Sequence, residues 1–186
     1  MLATIGIAVI AVAGLLAGCG KDSPNKGGKV ATDLTEAAAR DHINTLLVDT
    51  LRALQPGVSL SRKPDNPNLG AFGDEAAITV PCDDSDLRTD GPVQLQIRYW
   101  LVGVPLGQNT HYFDLIRDYW TSQGFRLHPG ADSRSTPVIT PDGYRLNVQD
   151  AGKGDGSLSI GAGSPCFPQS GKGTTTPQPT EIKRPS

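Results

Sequence analysis

The sequence predicts an α+β domain over residues 33–167: an antiparallel sheet of about five to seven strands with two helices packed on one face. Three observations carry that expectation. Two stretches place apolar side chains at helical spacing, one ten-residue run alternates apolar and polar, and short strand-like runs recur between clusters of Gly, Pro, Asn and Asp.

The first helix begins near Asp33, which can cap while Glu36 reaches back from three residues on. Ile43, Leu46, Leu47, Leu51 and Leu54 form its apolar stripe, with Glu36 and Arg40 as an i,i+4 pair on the other side. Gln55-Pro56-Gly57 stops it. A short alternating strand follows over 58–62, then a loop rich in Asn, Pro and Gly over 64–75, then a strand around 76–80.

The clearest strand is 93–102. Val93, Leu95, Ile97, Tyr99 and Leu101 point one way, and Gln94, Gln96, Arg98 and Trp100 the other, as in a sheet with one wet face. A second helix spans about 110–123, its inner side formed by Tyr112, Phe113, Ile116, Tyr119 and Trp120, and Gly124 ends it. Strands at 125–128, 137–140, 144–149 and 157–162 complete the pattern, with turns at Pro141-Asp142-Gly143 and 152–156. Each half thus reads helix, glycine, short strand, polar loop, further strands and Pro-Cys, a loose internal echo.

Outside this domain the composition changes. Residues 5–16 are apolar and uncharged, the length of a signal-peptide core and short of the roughly twenty residues that span a bilayer. Met1-Leu2-Ala3-Thr4 lacks the Lys or Arg that usually precedes such a core. Leu16-Ala17-Gly18-Cys19 follows, and in it the chain resembles bacterial lipoproteins, whose lipobox has this form. The resemblance implies a signal peptide over 1–18, diacylglycerol on the Cys19 thiol, and localisation at the cell membrane, lipid-anchored on its extracytoplasmic face. Residues 19–32 read as a lipidated polar tether, and 168–186, with Thr-Thr-Thr-Pro-Gln-Pro-Thr, as a disordered tail.

Within the domain, the run from Tyr112 to Phe125, with Trp120 and Gly124, is similar to a segment of small actinobacterial, mycobacterial-type cell-envelope lipoproteins. So are Thr140-Pro141-Asp142-Gly143-Tyr144-Arg145-Leu146, Leu158-Ser159-Ile160 and Ser164-Pro165-Cys166. The resemblance covers roughly the last third of the domain plus the lipobox. It implies an exported, membrane-tethered domain and brings no catalytic residues.

With Cys19 assigned to lipid, Cys82 and Cys166 remain as a pair, each preceded by proline, and an oxidising compartment predicts a disulfide. Charge is segregated: 33–167 hold 11 basic and 17 acidic residues, whereas the flanks after Cys19 are net basic. Such flanks suit an anionic lipid surface, and the acidic domain argues against nucleic acid.

The candidate chemistries each fall short. Asp83, Asp84, Asp86 and Asp90 cluster as carboxylates do in a calcium loop, but Arg88 and Thr89 stand where an acidic residue and Gly are wanted. His42, His111 and His128 are dispersed, so no metal or cofactor is expected. Ser164 precedes proline instead of opening a helix, unlike a nucleophile elbow, and Gly152-Lys153 and Gly171-Lys172 lack the rest of a phosphate loop. Trp100 beside Arg98 on the polar side of its strand is the candidate interaction surface, unless a loop or helix covers it. The expected function is a non-enzymatic envelope interaction module that engages a protein or wall component. The alternative is a carrier of a lipid or other apolar ligand.

Overall fold

Helix α1 (Glu36–Arg52) takes Thr35, not Asp33, as its cap, the Ala38 N–H donating to Thr35 Oγ1 at 3.2 Å. Residues 30–82, 90–151, 157–173 and 176–185 of the chain are described by a computed structural model. Glu36, the first helical residue, turns into the protein. It pairs with Arg40 at 2.8 Å, and both side chains are nearly buried. The side of α1 opposite its apolar stripe, where the sequence places this pair, is therefore covered as well. Ile43, Leu47, Leu51 and Leu54 form the buried stripe.

The chain continues through β1 (Ser59–Ser61), a 3-10 turn at Asp74–Ala76, β2 (Ala77–Pro81) and β3 (Val93–Val102). Next come α2 (Asn109–Ser122), β4 (Arg126–Leu127), β5 (Ser135–Ile139), β6 (Arg145–Asp150), β7 (Leu158–Gly163) and β8 (Glu181–Lys183). All eight strands join one antiparallel sheet in the order β4-β5-β6-β7-β3-β1-β8, with β2 also on β3. The α+β expectation therefore holds, with one strand more than the upper bound.

Strand β3 organises the sheet because its ten residues are long enough for three partners. One edge pairs with β7; the other pairs with β2 near its start and β1 near its end. Its inward residues Leu95, Ile97, Tyr99 and Leu101 are at most 3% exposed and share one core with both helices. Trp120 of α2 is fully buried there. Its indole N–H donates to Thr50 Oγ1 of α1 at 2.9 Å, which satisfies a polar atom that burial would otherwise penalise.

The extra strand comes from the segment read as a disordered tail. Leu60 of β1 pairs with Ile182, which fills the core edge, and Gln178 is buried. The domain consequently extends to the end of the described residues. Its start also lies earlier than 33, since the Ala31 N–H donates to the Cys166 carbonyl at 2.8 Å. The internal echo is incomplete at the cysteines: Pro81-Cys82 closes β2, one strand short of the end of its half, whereas Pro165-Cys166 follows β7.

One turn requires glycine. Gly103, at φ +78°, leaves β3 so close to the preceding turn that an added Cβ would lie 2.3 Å from the Gly57 carbonyl oxygen. Gly103→Ala is expected to cost about 1–3 kcal/mol in strain, before any backbone shift. A urea midpoint unchanged from the parent would show that this approach is relaxed without cost.

Candidate functional site

The sheet has a dry face and a wet face. Both helices lie on the dry one. On the other, alternate residues of β3, β6 and β7 project outward in register, so their side chains form rows across the strands. Arg98 lies opposite Gly161 and then Asn147; Gln96 lies opposite Gly163 and then Arg145; Trp100 lies opposite Ser159 and then Gln149.

Strand β7 thus contributes two glycines and a serine between two taller rows. The result is an open trough of about 630 Å³. Its floor is the β7 backbone, and its walls are the side chains of β3 and β6. The glycines are not forced by packing: a Cβ on Gly161 would meet nothing within 4 Å, and one on Gly163 would make only ordinary contacts at 3.9 Å. A glycine inside a strand often marks a place where another group approaches the backbone.

Arg98 and Arg145 are both exposed. Among the described residues neither has an ion-pair partner, and no Asp or Glu lines this trough. Trp100 closes one end and is half-buried. The loop between β1 and β2 lays Phe72 almost parallel to it, with ring centroids 5.0 Å apart, and the indole N–H donates to the Gly70 carbonyl at 3.1 Å. A loop therefore covers part of Trp100, while the tryptophan still lines the trough beside Phe72.

Toward the start of β3 a second open concavity, of about 660 Å³, shares Gln94 and Arg145 with the first. Val30 to Leu34, Ser164 and Cys166 line it, so the chain coming from Cys19 joins the domain at this end. Asp142 also lines it, with Oδ2 2.9 Å from His42 Nε2 and Oδ1 accepting from Thr140 Oγ1. The His42 ring lies against Tyr144, tilted by 34° with centroids 4.2 Å apart.

Cys82 and Cys166 form the expected disulfide, with Cα atoms 6.1 Å apart. Both sit beside the first residues of β3: the Cys82 N–H donates to the Pro92 carbonyl, and Phe167 bridges Val93. Ser164 is buried, its hydroxyl accepting from the Leu95 N–H and donating to the Pro165 carbonyl, each within 2.9 Å. That double commitment leaves it a structural residue. Gly171 belongs to a 3-10 turn packed on the start of α1, where a Cβ would lie 2.8 Å from the Leu34 carbonyl oxygen.

His111 and His128 are exposed. Among the described residues no three His, Cys, Asp or Glu side chains gather as a metal site. Cys19, the acidic residues Asp83, Asp84 and Asp86, and Gly152-Lys153 lie outside the described residues. No helix among the described residues is long and apolar enough to cross a membrane.

A buried polar cluster lies beneath the sheet, on its helix side. Arg40 donates to Glu36 and to Gln178 Oε1, and the Gln178 amide nitrogen donates to Asn44 Oδ1 and to the Tyr99 hydroxyl. The Tyr99 hydroxyl in turn donates to the Pro179 carbonyl at 2.6 Å. Burial pushes the Tyr99 pKa up, so the phenol remains a donor.

Alternation along β3 pointed to Arg98 and Trp100 from sequence. Arg145, Asn147 and the glycine floor were not singled out, although Arg-Leu-Asn-Val-Gln and Gly-Ala-Gly show the same period of two. Recognising them requires knowing that β6 and β7 follow β3 across the sheet. Compared with protein-family models, with curated proteins and with solved structures, the chain matches none.

Proposed function

We propose that this chain is an exported lipoprotein, held on the extracytoplasmic face of the cell membrane by lipid on Cys19. In this reading it acts there as a non-enzymatic interaction module, as its resemblance to small actinobacterial envelope lipoproteins suggests. The observation that carries the address is Leu16-Ala17-Gly18-Cys19 directly after an uncharged apolar segment. The Cys82–Cys166 bridge supports export, because disulfides persist in oxidising compartments.

The observation that favours an interaction module is the trough, whose wall residues include Gln96, Arg98, Arg145, Asn147 and Gln149 around Trp100. A carrier for an apolar ligand calls for an enclosed apolar chamber, whereas both concavities here open to solvent. Ten residues lie between Cys19 and Val30, so a fully extended chain lets the domain stand at most about 40 Å from the lipid. That range keeps the trough close to the bilayer and accessible to a protein or wall component.

Labelled palmitate supplied to an actinobacterial host making this protein is expected to appear on the wild-type chain and not on Cys19→Ala. The variant is expected to leave the membrane fraction or to keep its first eighteen residues. Equal fractionation and size of the two proteins, with no label on either, would refute the anchor.

A further inference from the structure

The trough on the wet face has a definable ligand chemistry. This inference rests on the reading of that face as an interaction surface and names what the surface takes. The geometry points to a carboxylate-bearing oligosaccharide lying along β7, its acidic groups met by Arg98 and Arg145 and its hydroxyls by the side-chain amides of both walls.

Charge supplies the first argument. The domain from 33 to 167 is net acidic, yet among the described residues this trough is lined by two arginines and no carboxylate. Arg52 and Arg117, by contrast, each hold a carboxylate at ion-pair distance. Among the described residues Arg98 and Arg145 have none, so their donors remain available to a ligand. The strand register places them diagonally across β7, about 12 Å apart at Cα. That span suits two acidic groups on one elongated molecule better than a single small anion.

Shape and hydrogen-bonding capacity supply the second. The floor over Gly161 and Gly163 carries no side chain, so a broad ring can rest on the backbone with room to spare. Gln96, Gln149 and Ser159 face the trough, and each offers both donors and acceptors. Sugar hydroxyls, which also donate and accept, match such a wall. An extended peptide does not, since it satisfies its own backbone best against an open strand edge, and the strands bounding this floor are already paired on both sides. Trp100 and Phe72 at one end add an apolar surface for a ring face. The acidic groups of the second concavity lie beyond Arg145, where Asp142 is engaged by His42 and Thr140.

The test uses the purified full chain in detergent and three probes of matched length: an oligogalacturonate, its methyl ester and an oligoglutamate. Calorimetry is expected to show binding of the oligogalacturonate that weakens as salt rises. The neutral ester and the peptide are expected to bind at least tenfold more weakly. Arg98→Gln and Arg145→Gln should each lower affinity roughly five- to tenfold, as loss of a partly solvated charged hydrogen bond does. Gly161→Leu should abolish binding by filling the floor. All three variants should melt with the parent, because these positions are exposed or have space above them.

Failure to bind the oligogalacturonate, equal binding of its ester, equal binding of oligoglutamate, or indifference to the arginine changes would each overturn the inference. A photo-crosslinker at position 149 in the native membrane separates this outcome from failure of the broader reading. A protein cross-linked there and lost in Gly161→Leu would leave the interaction module standing with a different ligand. No adduct together with no saccharide binding would remove both.

Discussion

Arg40→Met is expected to lower the unfolding free energy by about 3–5 kcal/mol, the range for breaking a buried pair by removing one partner. Arg40 is 5% exposed and joins α1 to the final segment. One terminal nitrogen donates to Glu36 and the other to Gln178, both at 2.8 Å. The methionine fills much of the volume and makes neither bond. Among the described residues Glu36 would then keep only the Gly173 N–H as partner, and Gln178 would lose its strongest donor. Because Gln178 also donates to Tyr99 and Asn44, the loss reaches the dry face of β3.

Chemical denaturation of the parent, Arg40→Met, Glu36→Gln and the double variant measures this directly. The double variant is expected to recover part of the loss, since it no longer buries an unpaired carboxylate. Additive losses would show that Arg40 and Glu36 act independently. Amide exchange in β8 is expected to accelerate in Arg40→Met, and unchanged protection there would disconnect the cluster from the terminal strand.

Removal of the disulfide by Cys82→Ser with Cys166→Ser is expected to cost about 4–5 kcal/mol by loop entropy, because the bridge closes 84 residues of chain. The loop contains β3, α2 and most of the sheet, so the cross-link limits the unfolded ensemble across the domain's centre. Its ends also hold the start of β3, where Val93 exchanges backbone bonds with Phe167. Thermal melts of the oxidised and reduced parent provide the comparison without mutation. Coincident melts would mean that the native contacts around β3 outweigh the cross-link.

Much of the architecture was legible because it follows from local periodicity. The ten alternating residues of β3 could adopt one strand with one dry face, and the observed burial follows that alternation residue by residue. The second helix was equally clear, since Tyr112, Phe113, Ile116 and Trp120 recur at helical spacing and all become buried. Arg98 and Trp100 were legible as wet-face residues for the same reason.

The terminal segment was not. Glu181-Ile182-Lys183 has one apolar residue between two charges and no periodic signal, so its composition reads as solvated chain. It becomes a strand because β1 offers an unpaired edge and Gln178 enters a buried network with Arg40, Asn44 and Tyr99. Glu36 and Arg40 carry the same lesson. As an i,i+4 pair they look like a helix surface, and only the chain returning over them makes that side an interior.

The sequence alone determined the helices, seven strands, the two sheet faces and the cysteines that pair, because each rests on patterning within a few residues or on chemistry. The tertiary structure decided which strands lie side by side, and therefore that Arg98 and Arg145, 47 positions apart, flank one glycine floor. It also decided that the last residues belong to the sheet. Strand order and edge pairing depend on contacts distant in sequence, and local periodicity carries no record of them.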